Sequence, residues 1–326
     1  METIDAKSVV LITRNEAMRR VIRDIDRVAV SEASILLVGE TGVGKELLAE
    51  YIHRVSPRCG EPLVKVSLSS IPAELLESEL FGHERGAYTN ATEEKKGLFE
   101  MADRGSIFLD DIDDVPIQMQ SKLLRFIESR ELMHVGGTRS KPVDVRFITA
   151  SKVDLKELVK RNIFRADLFY RLNVVPFPIP PLRERRDDIT LLVEHFNRLF
   201  QPAKQITFTQ AALKSLVDYP WPGNVRELRN VVQRVVLLAE REVTQNDLPI
   251  ELRLGGGDSM NLLIKECYRC FQEGTMSYEQ VLTCLEHNLI STALEKAGGN
   301  QSKAAKSLGL SLSTFRDKLK KSSTAS

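Results

Sequence analysis

The stretch Ile35-Leu-Leu-Val-Gly-Glu-Thr-Gly-Val-Gly-Lys-Glu-Leu-Leu-Ala-Glu50 leaves this chain few architectures to choose from. Its first four residues are an apolar run of the kind that forms a buried strand. Gly39, Glu40, Thr41, Gly42, Val43 and Gly44 break the run. Lys45 and Glu46 then open a segment with Leu47, Leu48, Tyr51 and Ile52 at helical spacing. Strand, glycine-rich loop and helix together are the context a phosphate-binding loop requires. The glycines let backbone N–H groups converge on one point, and the helix adds its partially positive N-terminus. Lys45 reaches the outer phosphates as a point charge. Glu46 stands where Ser or Thr usually holds magnesium. A plain Gly-rich turn is the competing reading, and the spacing with both flanks correct weighs against it.

The rest of the chain is read around that loop. Its 326 residues suffice for two or three domains. With 28% charged and 42% hydrophobic residues the composition is that of a soluble globular protein. The net charge of +1 announces no partner, so any nucleic-acid surface must be local. No apolar run approaches the roughly 18 residues of a membrane span. The first residues carry no signal-peptide pattern, and four cysteines suggest no disulfide framework. A reducing, cytoplasmic setting is the expectation.

Strands are expected at residues 62–68, 105–111 and 143–150, alternating with helices, which argues a parallel α/β sheet. Ligands of such sheets sit outside the strands' C-terminal ends, where Gly39, Asp110 and Ser151 all fall. Asp110 is the candidate magnesium ligand and Asp111 the candidate general base for an attacking water; a solvated acidic turn with Asp113 and Asp114 is the alternative. Within residues 1–30 a short apolar piece, Val9 to Ile12, precedes an amphipathic helix with Met18, Val21, Ile22 and Ile25 on one face, which either covers an adenine ring or closes the sheet. Gly86, Ala87, Tyr88, Thr89, Asn90 and Ala91 form a small, flexible stretch around one aromatic. Either a partner covers Tyr88 or it folds back on its own domain. Arg165 and Arg171 are candidates for reaching a phosphoryl group across a subunit boundary, against surface pairing with Asp167.

Four prolines between residues 176 and 181 read as an extended connector and domain edge. A mostly helical segment follows to about residue 253. In it Asn224 is expected to cap a helix, and Arg226 sits unfavourably in that helix's first turn, as a phosphate ligand or a buried structural residue. Residues 255–259 read as a flexible linker. Residues 278–297 form an amphipathic helix, and two short helices then flank Gly309-Leu310-Ser311, which matches helix-turn-helix geometry. Lys303, Lys306, Arg316, Lys318, Lys320 and Lys321 against Asp317 concentrate basic charge there, as DNA-backbone binding requires. Ser302, Ser311, Ser313 and Thr314 are the further candidate DNA contacts. Cys267, Cys270, Cys284 and His287 have zinc-like spacing, with solvated or core roles as the alternative.

These residues together resemble the AAA+ activators of sigma-54 RNA polymerase, also called bacterial enhancer-binding proteins. The carrying motifs are Gly39-Glu-Thr-Gly-Val-Gly-Lys-Glu46, Glu77-Ser-Glu-Leu-Phe-Gly-His83, Gly86-Ala-Tyr-Thr-Asn-Ala91, Leu109-Asp-Asp111, Phe164-Arg-Ala-Asp-Leu168, Pro181-Leu-Arg-Glu-Arg185 and Trp221-Pro-Gly-Asn-Val-Arg-Glu-Leu228. The C-terminal helices resemble the Fis-type element of the same proteins. The resemblance implies an ATPase subdomain over residues 1–181, a helical lid over 182–253, a linker over 254–276 and a DNA-binding domain over 277–326. It implies ATP on the loop at Lys45, Mg2+ at Asp110, Arg165 and Arg171 at a neighbour's nucleotide, Arg226 as a lid sensor, and residues 86–91 as the loop that engages sigma-54. A ring is implied, usually a homo-hexamer, or a mixed ring, acting on double-stranded DNA at an enhancer-like site. No receiver domain is expected before the ATPase, so control is expected from a separate regulatory protein, from expression, or from a domain absent from this chain. Several positions differ from the family's usual residues. Tyr88 replaces Phe, Asn90 replaces Gly, Asp111 replaces Glu, Ser67 replaces an Asn, and Ser151-Lys152 replaces Thr-Asn. Either these changes compensate one another, or the protein binds ATP with weak turnover and acts as a DNA-binding regulator or mixed-ring partner without sigma-54.

Overall fold

The computed structural model describes residues 3–6, 9–87, 93–202, 206–253, 277–298 and 300–323. The chain divides into two compact units: residues 1–213 with 220–243, and residues 214–219 with 244–326.

The first unit is built on five parallel strands: β1 (Ile35–Val38), β2 (Leu63–Ser67), β3 (Ser106–Asp110), β4 (Arg146–Ser151) and β5 (Val175–Pro178), in the spatial order β5-β1-β4-β3-β2. Alternate strand residues serve opposite faces. Leu36, Ile107, Leu109 and Phe147 pack against Leu76, Phe99, Phe126 and Leu168 on one side. Ile35, Leu37, Phe108 and Ile148 pack against Ile22, Ile25, Leu48 and Ile52 on the other. Burial on both faces explains why these strands read as apolar runs.

The first part of the proline-rich stretch is a strand, not a connector: Val175–Pro178 pairs with β1 at the sheet's edge. Proline withholds one ladder donor, a loss that an edge strand tolerates because one side of it has no neighbour. The helix Glu16–Ala29 does close the sheet, as the second of its expected roles required, with Ile22 and Ile25 in the core. A buried carboxylate ties the chain's start to the helical segment: Asp188 accepts from Thr13 Oγ1 at 2.8 Å and from the N–H of Arg14 and Asn15.

The second unit carries three C-terminal helices, Tyr278–Lys296, Gln301–Ser307 and Leu312–Ser323. Asn300 caps the second by accepting from Lys303 N–H at 3.1 Å, and Ser311 accepts from Thr314 N–H at 3.1 Å before the third. Gly309 takes a φ of +65° in the turn between them, a conformation that favours glycine. Ile290, Ala293, Ala304, Ala305 and Phe315 form their core. The apolar positions of the long helix differ in burial: Ile290 and Ala293 are buried, whereas Leu282 and Leu289 are exposed with Tyr278. Among the described residues no helix is long and apolar enough to cross a membrane.

Candidate functional site

The glycine-rich loop lies where β1 passes into the helix Lys45–Arg54. Gly42 and Gly44 take φ of +80° and +106°, which only glycine adopts without strain. Gly42 has a second reason to be glycine. A Cβ there would lie 2.3 Å from the carbonyl oxygen of Gly223, so another segment presses directly on the loop. Lys45 is buried, and its Nζ donates to the carbonyls of Gly39 at 2.6 Å and Glu40 at 3.2 Å. Burial holds its pKa below the ordinary lysine value, opposed by the negative charges of Asp110, Asp111 and Asp113. Glu46 does not turn toward the loop's centre; it pairs with Lys65 at 2.8 Å.

Parallel pairing of β1 with β4 and of β4 with β3 brings three strand ends together. Gly39 N–H donates to Ser151 O at 3.1 Å. Asp110 ends β3 with its carboxyl pKa raised, chiefly by burial and also by the charge of Asp111; the N–H of Asp111 opposes this by donating to Asp110 Oδ1 at 2.9 Å. Asp111 itself has a φ of +55°, uncommon for a residue with a Cβ. Two hydroxyls hold its side chain: Ser67 Oγ donates to Oδ2 at 3.2 Å and Ser69 Oγ at 2.6 Å. Sequence reasoning singled out Ser67 but not Ser69. Ser69 has no motif of its own, and the short 3-10 turn Leu68–Ser70 brings it round. Lys152 pairs with Asp114 at 2.7 Å, which raises its pKa, and Ser151 Oγ donates to Val153 O.

Asn224 is not the helix cap expected of it. The helix starts at Asn224 itself, whose backbone has a φ of +53°. Its fully buried side chain accepts from Leu182 N–H at 2.8 Å and donates to Glu40 Oε2 at 3.1 Å and Thr41 O at 3.0 Å. Glu40 is also clasped by Arg183 at 2.6 and 2.8 Å, and that guanidinium is the first cause of its lowered pKa. Arg226 donates its backbone N–H to Gly42 O. A cavity of about 100 Å³ opens beside Gly44, lined by Val10, Ile12, Met18, Leu48, His195 and Phe196 among others. Met18 therefore gives the first helix a share in that cavity besides its place in the core. Burial lowers the pKa of His195 and favours the neutral ring.

Arg165 and Arg171 are not brought to this site within one chain. Arg165 pairs with Asp167 at 2.7 Å and reaches Ser121, the surface pairing weighed from sequence; Arg171 is exposed. Of residues 86–91, Tyr88, Thr89, Asn90 and Ala91 lie outside the described residues. Gly86 and Ala87 are described, and the segment leading to them is tied to a neighbouring hairpin. Glu84 N–H donates to Val135 O and Val135 N–H to Gly82 O, and Gly136 approaches Ala87 closely.

In the C-terminal unit Ser302, Lys303, Ser311, Ser313, Thr314 and Arg316 are exposed. Arg316 Nε donates to Gln301 Oε1 at 3.1 Å, and Lys318 pairs with Glu286 at 2.5 Å. The side chain of Lys320 lies outside the described residues. So do Cys267, Cys270 and the side chain of Cys284, and His287 is exposed. Among the described residues no cluster of three or more His, Cys, Asp or Glu side chains is placed to hold a metal. Magnesium does not need one, because it binds through one or two carboxylates with substrate phosphates and water. The all-oxygen chemistry of Asp110 at the loop's edge fits it.

A five-stranded parallel sheet in this order, with a glycine-rich loop after its first strand and acids after its third, defines a P-loop nucleotide-binding fold of the AAA+ class. The chain belongs to the sigma-54 interaction domain family, whose model matches residues 11–178. The AAA+ ATPase lid domain matches residues 183–261, and the Fis family of bacterial regulatory proteins matches residues 282–321. Similar proteins include the DNA-binding transcriptional regulator NtrC of Azospirillum brasilense, 41% identical over 95% of this chain and 69% of that protein. The transcriptional regulatory protein XylR of Pseudomonas putida is 42% identical over 95% of this chain, which spans 56% of it. The transcriptional activator HyfR of Escherichia coli is 49% identical over 70% of this chain and 34% of its own length. Among solved structures, NtrX from Brucella abortus in complex with ADP aligns with a TM-score of 0.70 at 32% identity, over 97% of this chain and 69% of that one.

Proposed function

We propose that this protein is a DNA-binding AAA+ ATPase that uses ATP hydrolysis to remodel the sigma-54 RNA polymerase holoenzyme and so activates transcription. The observation that carries the proposal is the convergence of Lys45, Asp110 and Asp111 at neighbouring strand ends beside a loop built for phosphate. Residues 39–46 bind the triphosphate, with the backbone N–H groups of the loop and the Lys45 ammonium on its outer oxygens. The cavity beside Gly44 takes the adenine. Asp110 would hold Mg2+, which supplies neutralising charge on the phosphates when bound. Asp111 orients the attacking water, steadied by Ser67 and Ser69. Arg226 meets the nucleotide from the lid. Arg165 and Arg171 serve a neighbouring subunit's site. The Arg165–Asp167 pair is exposed, and water and salt screen such pairs, so Arg165 is easily released to that role. Residues 86–91 engage sigma-54, with Tyr88 at the centre.

The chain divides into residues 1–181, 182–253, 254–276 and 277–326 as ATPase subdomain, lid, linker and DNA-binding domain. It works as a cytoplasmic ring, and the exposed Tyr278, Leu282 and Leu289 offer a second copy an apolar stripe. Phosphate release on adding ATP, run beside transcription from a sigma-54 promoter, tests the reading. Both activities are expected, and Tyr88→Ala is expected to abolish the second while sparing the first. Turnover at background would leave an ATP-binding partner of a mixed ring in its place.

The helix Leu312–Ser323 is proposed to enter the major groove, with Ser302, Lys303, Ser311, Ser313, Thr314, Arg316, Lys318 and Lys320 as contacts. Arg316→Ala is expected to weaken binding to duplex DNA. Measured against salt, the slope of the logarithmic binding plot is expected to fall by about 1, the share of one phosphate contact. An unchanged slope and affinity would place the DNA surface elsewhere.

A further inference from the structure

Three successive carbonyls of the phosphate loop are held from one side by the helical segment. Asn224 Nδ2 donates to Thr41 O at 3.0 Å, Arg226 N–H to Gly42 O at 3.3 Å, and Arg185 Nη2 to Val43 O at 2.7 Å. Across a planar trans peptide a carbonyl and the following N–H point in opposite directions. Fixing these three carbonyls therefore turns the N–H groups of Gly42, Val43 and Gly44 the other way, together, as an anion-binding concavity needs. Of the three donors only Asn224 is a side chain with both ends engaged. It accepts from Leu182 N–H, and it shares Glu40 with Arg183. An aspartate at 224 would lack the donor, and an alanine would lack both groups and strain at a φ of +53°.

We propose that Asn224 is a positioning residue for the nucleotide. Through it the lid pre-orders the phosphate cradle, and this sets how long a di- or triphosphate stays bound. The inference rests on the phosphate-loop reading above. Thermodynamic linkage makes the effect reciprocal: the factor by which lid docking tightens nucleotide is the factor by which nucleotide tightens docking.

The test is stopped-flow release of a fluorescent ADP analogue from the full chain. Asn224→Asp keeps the shape and the acceptor for Leu182, removes the donor to Thr41, and sets carboxylates at 40 and 224 against each other. Release is expected to quicken roughly tenfold, the equivalent of one or two hydrogen bonds, with association little changed. Adding Glu40→Gln returns a donor facing position 224 and is expected to restore part of the retention, which a generally loosened fold would not show. Arg183→Met, at an exposed position, is expected to quicken release about two- to threefold. Wild-type release from folded Asn224→Asp overturns the proposal, whatever Arg183→Met shows. If Asn224→Asp does not fold, Arg183→Met alone decides, and a wild-type rate overturns it. Lys45→Ala separates the levels. Nucleotide binding that survives it sinks the phosphate-loop reading itself. Its loss, beside wild-type release from Asn224→Asp, sinks the positioning role alone.

Discussion

Lys45→Ala is expected to reduce ATP affinity by about three orders of magnitude and to bring phosphate release to background. The ammonium is buried at the loop's end, where the effective dielectric lies well below that of water. At about 4 Å and an effective dielectric near 20, a unit charge pair is worth about 4 kcal/mol, or roughly a thousandfold in affinity. The fold should survive. Among the described residues Nζ donates to the carbonyls of Gly39 and Glu40 alone, loop groups that water can reach once the side chain is gone. Removing a cation whose burial already disfavours its charged form relieves a desolvation penalty as well. Lys45→Met keeps the aliphatic stem against the loop and separates loss of charge from loss of packing. Titration with a fluorescent ATP analogue, beside circular dichroism, checks the outcome. Near-wild-type affinity in a folded variant would remove ATP from this loop.

How much of this was legible in the sequence depends on how local each signal is. The loop announced itself because three glycines, a lysine and both flanks lie within sixteen residues. The sheet was legible because strands buried on both faces must be apolar runs. The edge strand Val175–Pro178 was not, because the prolines that mark a connector are equally at home where one side of a strand has no partner. Asn224 was misread for a deeper reason. A Pro-Gly-Asn turn before a helix fits a cap, whereas its side chain spends its hydrogen bonds on Glu40 and Thr41, more than 180 positions away. Nothing in a local pattern encodes that distance. Ser69 is the same case at shorter range, one hydroxyl among many until the turn brings it to Asp111. The long C-terminal helix was read as one apolar face, but Ile290 and Ala293 fill the core while Leu282 and Leu289 lie outside it. Helical spacing shows that apolar residues share a side, not that one partner covers them all.

Asp111→Asn is expected to lower turnover by at least a hundredfold while leaving ATP affinity within a few-fold of wild type. The substitution keeps the shape, and Asn tolerates the left-handed backbone found here. Its carbonyl oxygen can still accept from both Ser67 and Ser69, so the side chain stays where the two hydroxyls hold it. What it cannot do is take a proton from water, a contribution worth about 10²–10⁴-fold in a positioned general base. The shorter reach of Asp compared with the family's usual Glu bears on the same point. With a two-carbon arm, placement of the carboxylate falls to the backbone, and the positive φ together with the serine pair supplies it. If that placement is productive, removing the negative charge must be felt in chemistry and not in binding. Single-turnover hydrolysis of saturating ATP, measured beside equilibrium binding, distinguishes the two. Turnover within threefold of wild type would show that water is activated by some other group. Asp111 would then be a structural carboxylate whose two serine bonds serve only the turn after β2.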